Sequence, residues 1–251
     1  MTLRLAIEGK VARLTIARAQ KRNALTHAMW AALPALVAQA CAGARLLVVE
    51  GEGGTFSAGA DISEFAAATH DPAWRAANQA AIGAAMAALA GAEIPTIALI
   101  EGDCIGGGCG LALCCDLRVA GRNARFGITP ARLGLVYTLE DTRRLVEAVG
   151  PSQARRILFS AELLDAAEAA RIGLVTILAE DSGTEVERMA GVLTSVSGHS
   201  QRESKLMIAR IVAGQHSDDD DTRALFNAAF DGADFREGSA AFLERRPARF
   251  T

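Results

Sequence analysis

Twice in this chain a short, almost wholly apolar run ends at a cluster of glycines. Residues 44–50 (ARLLVVE) close onto Gly51, Gly53 and Gly54, and residues 94–101 (IPTIALIE) lead to Gly102 and then Gly106-Gly107-Gly108. Runs of that length without polar alternation suit strands covered on both faces, and they are far short of the roughly 20 apolar residues that cross a bilayer. The Ala-rich stretch between them, residues 74–89, is helical by composition and periodicity. Buried strand, helix, buried strand is the order of an α/β domain with a parallel sheet.

The flanking segments fit this frame. Leu3, Leu5 and Ile7 and then Val11, Leu14 and Ile16 surround Glu8-Gly9-Lys10, which predicts an opening hairpin. Asn23 precedes a helical pattern over 24–39 and is expected to cap it, while residues 116–120 (DLRVA) read as a third core strand. From Leu139 the pattern turns helical, over 139–149, 151–159, 166–171 and 184–196, followed by three more helices, with Asp218 to Asp221 as an acidic helix start. We therefore expect an α/β core over 1–195 and a helical assembly region over 196–251.

Composition removes several classes of function. With 26 Lys+Arg against 29 Asp+Glu, no basic excess draws a nucleic-acid backbone. The N-terminus alternates polar and apolar residues and breaks at Gly9, unlike a signal peptide, so a cytoplasmic protein with no membrane partner is expected. Five cysteines without CxxC spacing and four histidines outside any ligand pattern predict no metal.

The glycine clusters carry the chemistry. Phe56-Ser57-Ala58-Gly59-Ala60-Asp61-Ile62 follows the first apolar run, and Gly106-Gly107-Gly108-Cys109-Gly110 follows the second, just ahead of a helical run over 111–115. Small residues leave backbone amides open to a ligand, and a helix start offers N–H groups without partners. Two converging amides stabilise an oxygen on which negative charge develops, where a single lost donor costs about 2.7 to 4 kcal/mol. Neither cluster has the GxxxxGK[ST] or GxGxxG order of a nucleotide site.

Taken in order, AQKRNALT (19–26), FSAGADI (56–62), IGGGCGLALCCDLRVA (105–120), ARFGITPARLG (124–134) and REGSAAFLERRPARF (236–250) resemble the enoyl-CoA hydratase/isomerase, or crotonase, family across nearly the whole chain. The resemblance implies a crotonase-like spiral of ββα units with a helical C-terminal region, an acyl-CoA substrate with coenzyme A as part of it and no separate cofactor, and a homotrimer or dimer of trimers. It places the two oxyanion-hole amides at Ala58 and Gly107. It puts Lys21 and Arg22 along the CoA phosphates, Ala60, Asp61 and Ile62 near the adenine, and Phe242 and Arg245 at a neighbouring subunit's acyl pocket and CoA. Asp61 also reads as a helix N-cap.

At the two positions matching the hydratase glutamates this chain has Gly110 and Pro130, which exchange no protons; a third acidic position of related isomerases is Thr138. Tyr137, the only tyrosine, stands in TPARLGLVY, a stretch that resembles methylmalonyl-CoA decarboxylases, and Glu140 is the carboxylate nearest in sequence to the expected pocket. The expected reaction passes through a thioester enolate, with decarboxylation of a short malonyl-type CoA favoured. Isomerisation or atypical hydration with Glu140 as base, and a non-catalytic acyl-CoA-binding protein, are the alternatives.

Overall fold

Leu3 pairs with Ile16 and Glu8 with Val11, so the alternating N-terminus does form an antiparallel hairpin of β1 (Leu3–Glu8) and β2 (Val11–Ile16). The computed structural model describes residues 2–68 and 70–250. From the hairpin a six-stranded sheet grows by parallel addition in the order β1-β2-β3-β4-β6-β9, using β3 (Leu46–Gly51), β4 (Thr96–Ile100), β6 (Leu117–Gly121) and β9 (Ile177–Ala179). A three-stranded sheet of β5 (Asp103–Ile105), β7 (Arg125–Gly127) and β8 (Leu164–Asp165) lies beyond the ends of the main strands. These three short strands and β9 carry too few residues for a periodic signal and were not anticipated from sequence.

The apolar runs are explained by cover on both faces. Leu47 and Val49 pack into the larger core with Trp30, Leu33 and Val37 of α1 (His27–Gly43), which lies against α3 (Pro72–Ala90). Leu46 and Val48 point the other way, into a smaller core with Ile97, Val119 and, from α7 (Ser182–Ser195), Val186 and Ala190. The side-chain period of two makes this alternation, and each such fully buried aliphatic contributes about 1.5 to 3 kcal/mol.

Three helices sit where the chain leaves the sheet: α2 (Ile62–Ala68), α4 (Gly107–Leu113) and α5 (Leu139–Ser160). The last is two helices joined at Gly150, whose φ of 74° and ψ of 163° break the helical path, in line with the two segments read from sequence. After α6 (Ala166–Arg171) and α7 come α8 (Gly198–Val212), α9 (Asp220–Ala229) and α10 (Ala233–Glu244). Asp219 caps α9 in a reciprocal box with Thr222.

Two local expectations change. The cap of α1 is Thr26, whose hydroxyl accepts from the Met29 N–H, and not Asn23. Asn23 is fully buried at φ 55°; its carboxamide accepts from Arg18 N–H and donates to the carbonyls of Glu52 and Thr55, tying the first turn to the loop after β3. Secondly, α4 begins inside the glycine cluster, at Gly107, and not after it. Among the described residues no helix is long and apolar enough to cross a membrane.

Candidate functional site

Because β3 and β4 are parallel neighbours, the loops that follow them emerge at one edge of the sheet, where open α/β folds place ligands. The loop after β3 is held along its length. Ser57 N–H donates to the Asp103 carbonyl and Ile105 N–H to the Ser57 carbonyl, stitching the loop to β5. Leu25 N–H donates to the Gly59 carbonyl and Asp61 N–H to the Leu25 carbonyl, at 2.8 and 2.9 Å, stitching it to the segment before α1.

Within this loop the Ala58 amide is already committed, donating to the Arg22 carbonyl at 2.9 Å. The expectation that Ala58 supplies a free donor is therefore corrected. Gly59, at φ 88°, turns the chain, and the next amide, Ala60 N–H, has no acceptor among the described residues. The Gly107 N–H, at the first position of α4, is likewise without an acceptor there. The two stand close together, since a Cβ on Gly107 would lie 3.4 Å from the Ala60 nitrogen.

The glycines around this pair have steric reasons. A Cβ on Gly59 would come within 2.6 Å of the Gly107 nitrogen and 2.8 Å of the Ile105 oxygen, masking one amide with the other's neighbour. Gly106, at φ 57° and ψ −120°, occupies backbone space that side chains forbid, and its N–H donates to the Gly127 carbonyl at 2.7 Å. A Cβ on Gly108 would meet the Ser57 carbonyl at 2.4 Å.

Ala60 and Gly107 both line a cavity of about 420 Å³, together with Trp30, Pro130, Tyr137 and Asp141 among others. Its remaining walls are mainly apolar, from Ile62, Phe65, Ile82, Met86, Leu133 and Leu135. Tyr137 reaches into the space beside Gly110: a Cβ there would lie 2.9 Å from the Tyr137 hydroxyl and 3.2 Å from the Met86 methyl. The hydroxyl is buried and has no hydrogen-bond partner among the described residues, and burial together with nearby Cys109 and Asp141 pushes its pKa well above the usual phenol range. It is held as a neutral O–H donor. Pro130 opens a single 3-10 turn over Pro130–Leu133 on the same wall.

The carboxylate that lines this cavity is Asp141, not Glu140. Asp141 is buried at the third position of α5; it accepts from the Thr138 hydroxyl at 2.7 Å and from Arg144 at 3.1 Å, while the Thr138 oxygen accepts its N–H as the helix cap. Glu140 is 69% exposed, pairs at 3.7 Å with Arg144 and lines a smaller hollow of about 260 Å³ that shares Gln79, Ile82, Met86, Thr138 and Asp141 with the cavity. Adjacent positions at a helix start leave about 100° apart, which is why nearness in sequence misdirected the assignment.

Asp61 carries two functions in the backbone frame. It precedes α2 and accepts from the Ser63 N–H at 3.0 Å, a capping contact, and its second oxygen pairs with Arg18 at 2.6 Å. The Ser63 hydroxyl and then Arg18 hold its carboxyl down at about 2. Ile62 lines the cavity and is half exposed, whereas Lys21 and Arg22 are exposed in the turn before α1, with Arg22 at φ 50°. Phe242 lies on α10 with 83% of its surface exposed, and Arg245 ends that helix at φ 54°; neither lines this chain's cavity. Among the described residues no cluster of His, Cys, Asp and Glu is arranged to hold a metal.

Comparison with known proteins gives the family. The enoyl-CoA hydratase/isomerase family model matches residues 6–251. A crotonyl-CoA hydratase from Syntrophomonas wolfei is 38% identical over 213 residues, covering 82% of this chain and 80% of that protein. A solved structure from Hyphomonas neptunium, described as of the enoyl-CoA hydratase/isomerase family, superposes with a TM-score of 0.97 at 41% identity, covering 100% of this chain and 98% of the other. A further structure from Magnetospirillum magneticum, titled an enoyl-CoA hydratase/carnitine racemase, gives 0.95 at 29% identity over 100% and 96%. The chain has the crotonase fold, and it belongs to the enoyl-CoA hydratase/isomerase family, whose members are enzymes acting on CoA thioesters.

Proposed function

We propose that the protein binds an acyl-CoA with its thioester oxygen between the Ala60 and Gly107 amides, and decarboxylates a short malonyl-type acyl group through the enolate held there. The observation that carries this reading is the exchange at one spot in the cavity: Gly110 stands where the resemblance places a hydratase glutamate, and the Tyr137 hydroxyl fills the space. A carboxylate on residue 110 and Tyr137 in its present position exclude each other sterically.

The chemistry follows from those groups. Loss of carbon dioxide leaves its bonding electron pair on the α-carbon, so the enolate forms without a protein base, and the two amides stabilise its oxygen. Tyr137, kept protonated by burial, donates its proton to the α-carbon and recovers one from solvent. Lys21 and Arg22 serve the CoA phosphates and Ile62 the adenine end. The exposed apolar side chains of the C-terminal helices, Ile208, Phe226 and Phe242 among them, support burial between subunits of a trimer or dimer of trimers, which sedimentation tests.

Tyr137→Phe keeps the ring and deletes the hydroxyl. On malonyl- and methylmalonyl-CoA we expect kcat to fall by about tenfold to a thousandfold with a smaller change in KM. Glu140→Gln, altering a group outside the cavity, is expected to stay within about threefold. A second reading has its own observation: Asp141 faces the cavity and is placed to act as the base of an allylic isomerisation. Turnover of a 3-enoyl-CoA that survives Tyr137→Phe and is abolished by Asp141→Asn replaces decarboxylation with isomerisation. Binding of CoA thioesters without any turnover makes this a binding protein.

A further inference from the structure

Trp30 stands in α1, 1% exposed, with one edge of its indole against the oxyanion turn: its Cζ2 lies 3.5 Å from the place of a Gly107 Cβ. The indole nitrogen is two bonds from that atom. Trp30 lines the same cavity as Ala60 and Gly107, yet its Nε1–H is inaccessible and has no acceptor among the described residues. A buried donor left in this state carries an uncompensated desolvation cost, and leucine or phenylalanine at this position would pack without it. The Tyr137 hydroxyl is in the same condition, so two residues lining a mainly apolar cavity each hold a buried polar hydrogen with no acceptor among the described residues.

We infer that Trp30 is a substrate-contacting, specificity-determining residue whose indole N–H, uncovered by a small turn of the ring as the acyl group enters, donates to an oxygen on that group beyond the thioester carbonyl, and so selects acyl-CoAs that carry a carboxylate near the reacting carbon. The thioester oxygen already has the two backbone donors, and this inference rests on that placement. A plain hydrocarbon acyl chain fills the cavity and leaves the Trp30 N–H and the Tyr137 O–H both without acceptors. A carboxylate supplies two acceptor oxygens, relieves the penalty, and lies in the apolar surroundings that favour its loss as carbon dioxide.

The chain has two tryptophans, Trp30 and Trp74, so protein labelled with 15N-tryptophan gives two indole N–H signals, assigned with Trp74→Phe. The Tyr137→Phe protein, slow to turn over, is titrated with malonyl-CoA, with butyryl-CoA and with CoA alone. We expect malonyl-CoA to move the Trp30 signal downfield and butyryl-CoA to move it less. In calorimetry, Trp30→Phe weakens malonyl-CoA by about tenfold and butyryl-CoA by less than about threefold. An unmoved Trp30 signal at saturating malonyl-CoA overturns the inference, as does an equal loss for both thioesters; the spectra need no change at Trp30, so a variant that fails to fold does not remove the test. If malonyl-CoA binds and shifts Trp30 but no carbon dioxide is released by the parent protein, decarboxylation fails while this inference stands. If no thioester binds, both fall.

Discussion

The two walls of the acyl cavity are made of different material. One is backbone: Ala60 and Gly107 offer amides whose positions are fixed by bridges from β5 and from the segment before α1, and by glycines that admit no side chain. The other is side chain: Tyr137, Asp141 and Trp30 line it, and Tyr137 occupies space that Gly110 leaves open. In the proposed reading the backbone wall serves any thioester that needs its oxygen stabilised, and the side-chain wall decides where protons go. A family can therefore keep the first and change reaction through the second.

The largest expected effect comes from damaging the backbone wall. Gly59→Ala places a methyl within 2.6 Å of the Gly107 nitrogen at a residue whose φ is 88°. We expect kcat on any substrate to fall by about a hundredfold or more, as for loss of an oxyanion donor, together with a lower melting temperature from the left-handed strain. Full activity in this variant would show that the two amides are not used together.

The side-chain wall is tested by putting back what is missing. Gly110→Glu alone should destabilise by about 1 to 3 kcal/mol, since its Cβ meets the Tyr137 hydroxyl at 2.9 Å and the Met86 methyl at 3.2 Å. Adding Tyr137→Ala removes the first clash, so a double-mutant cycle by denaturant unfolding should give a coupling of about 1 kcal/mol or more. Strict additivity would mean that residues 110 and 137 do not compete for one space.

A smaller effect sharpens the distinction between scaffold and chemistry. Asp61 is held at about 2, below the ordinary 3.8, by the Ser63 hydroxyl and then by Arg18. Its depressed pKa adds stability that is present above about pH 4 and is lost as pH falls from there towards 2. Asp61→Asn should flatten that part of the stability-pH profile, measured by urea unfolding, while leaving the pH dependence of kcat near neutrality unchanged. A shift in the neutral-range profile would bring Asp61 into the chemistry.

Reading the chain alone succeeded where local pattern and structure share a cause. Leu46 to Val49 announce a strand covered on both faces, Glu8-Gly9-Lys10 a hairpin turn, and Asp218 to Asp221 an acidic helix start, because each requirement is met by nearby residues. The glycine clusters pointed to loops that line the cavity for the same reason. Which amide is free was not legible: Ala58 and Ala60 are alike in sequence, and only the carbonyl of Arg22, brought in from the first turn, removes one of them. Asp141 rather than Glu140 was hidden by the rotation between consecutive helical residues. Trp30 was hidden because an aromatic at helical spacing reads as core, and core it is apart from one unpartnered N–H.

The central claim, that one thioester oxygen is shared by the Ala60 and Gly107 amides, is tested most directly by a crystal structure of the protein with a slowly reacting acyl-CoA, using the Tyr137→Phe variant to preserve it. The account predicts the thioester oxygen within about 2.7 to 3.1 Å of both nitrogens, with Ala58 N–H still donating to the Arg22 carbonyl. A thioester oxygen bound to the Ala58 amide, or lying outside reach of either Ala60 or Gly107, would contradict it.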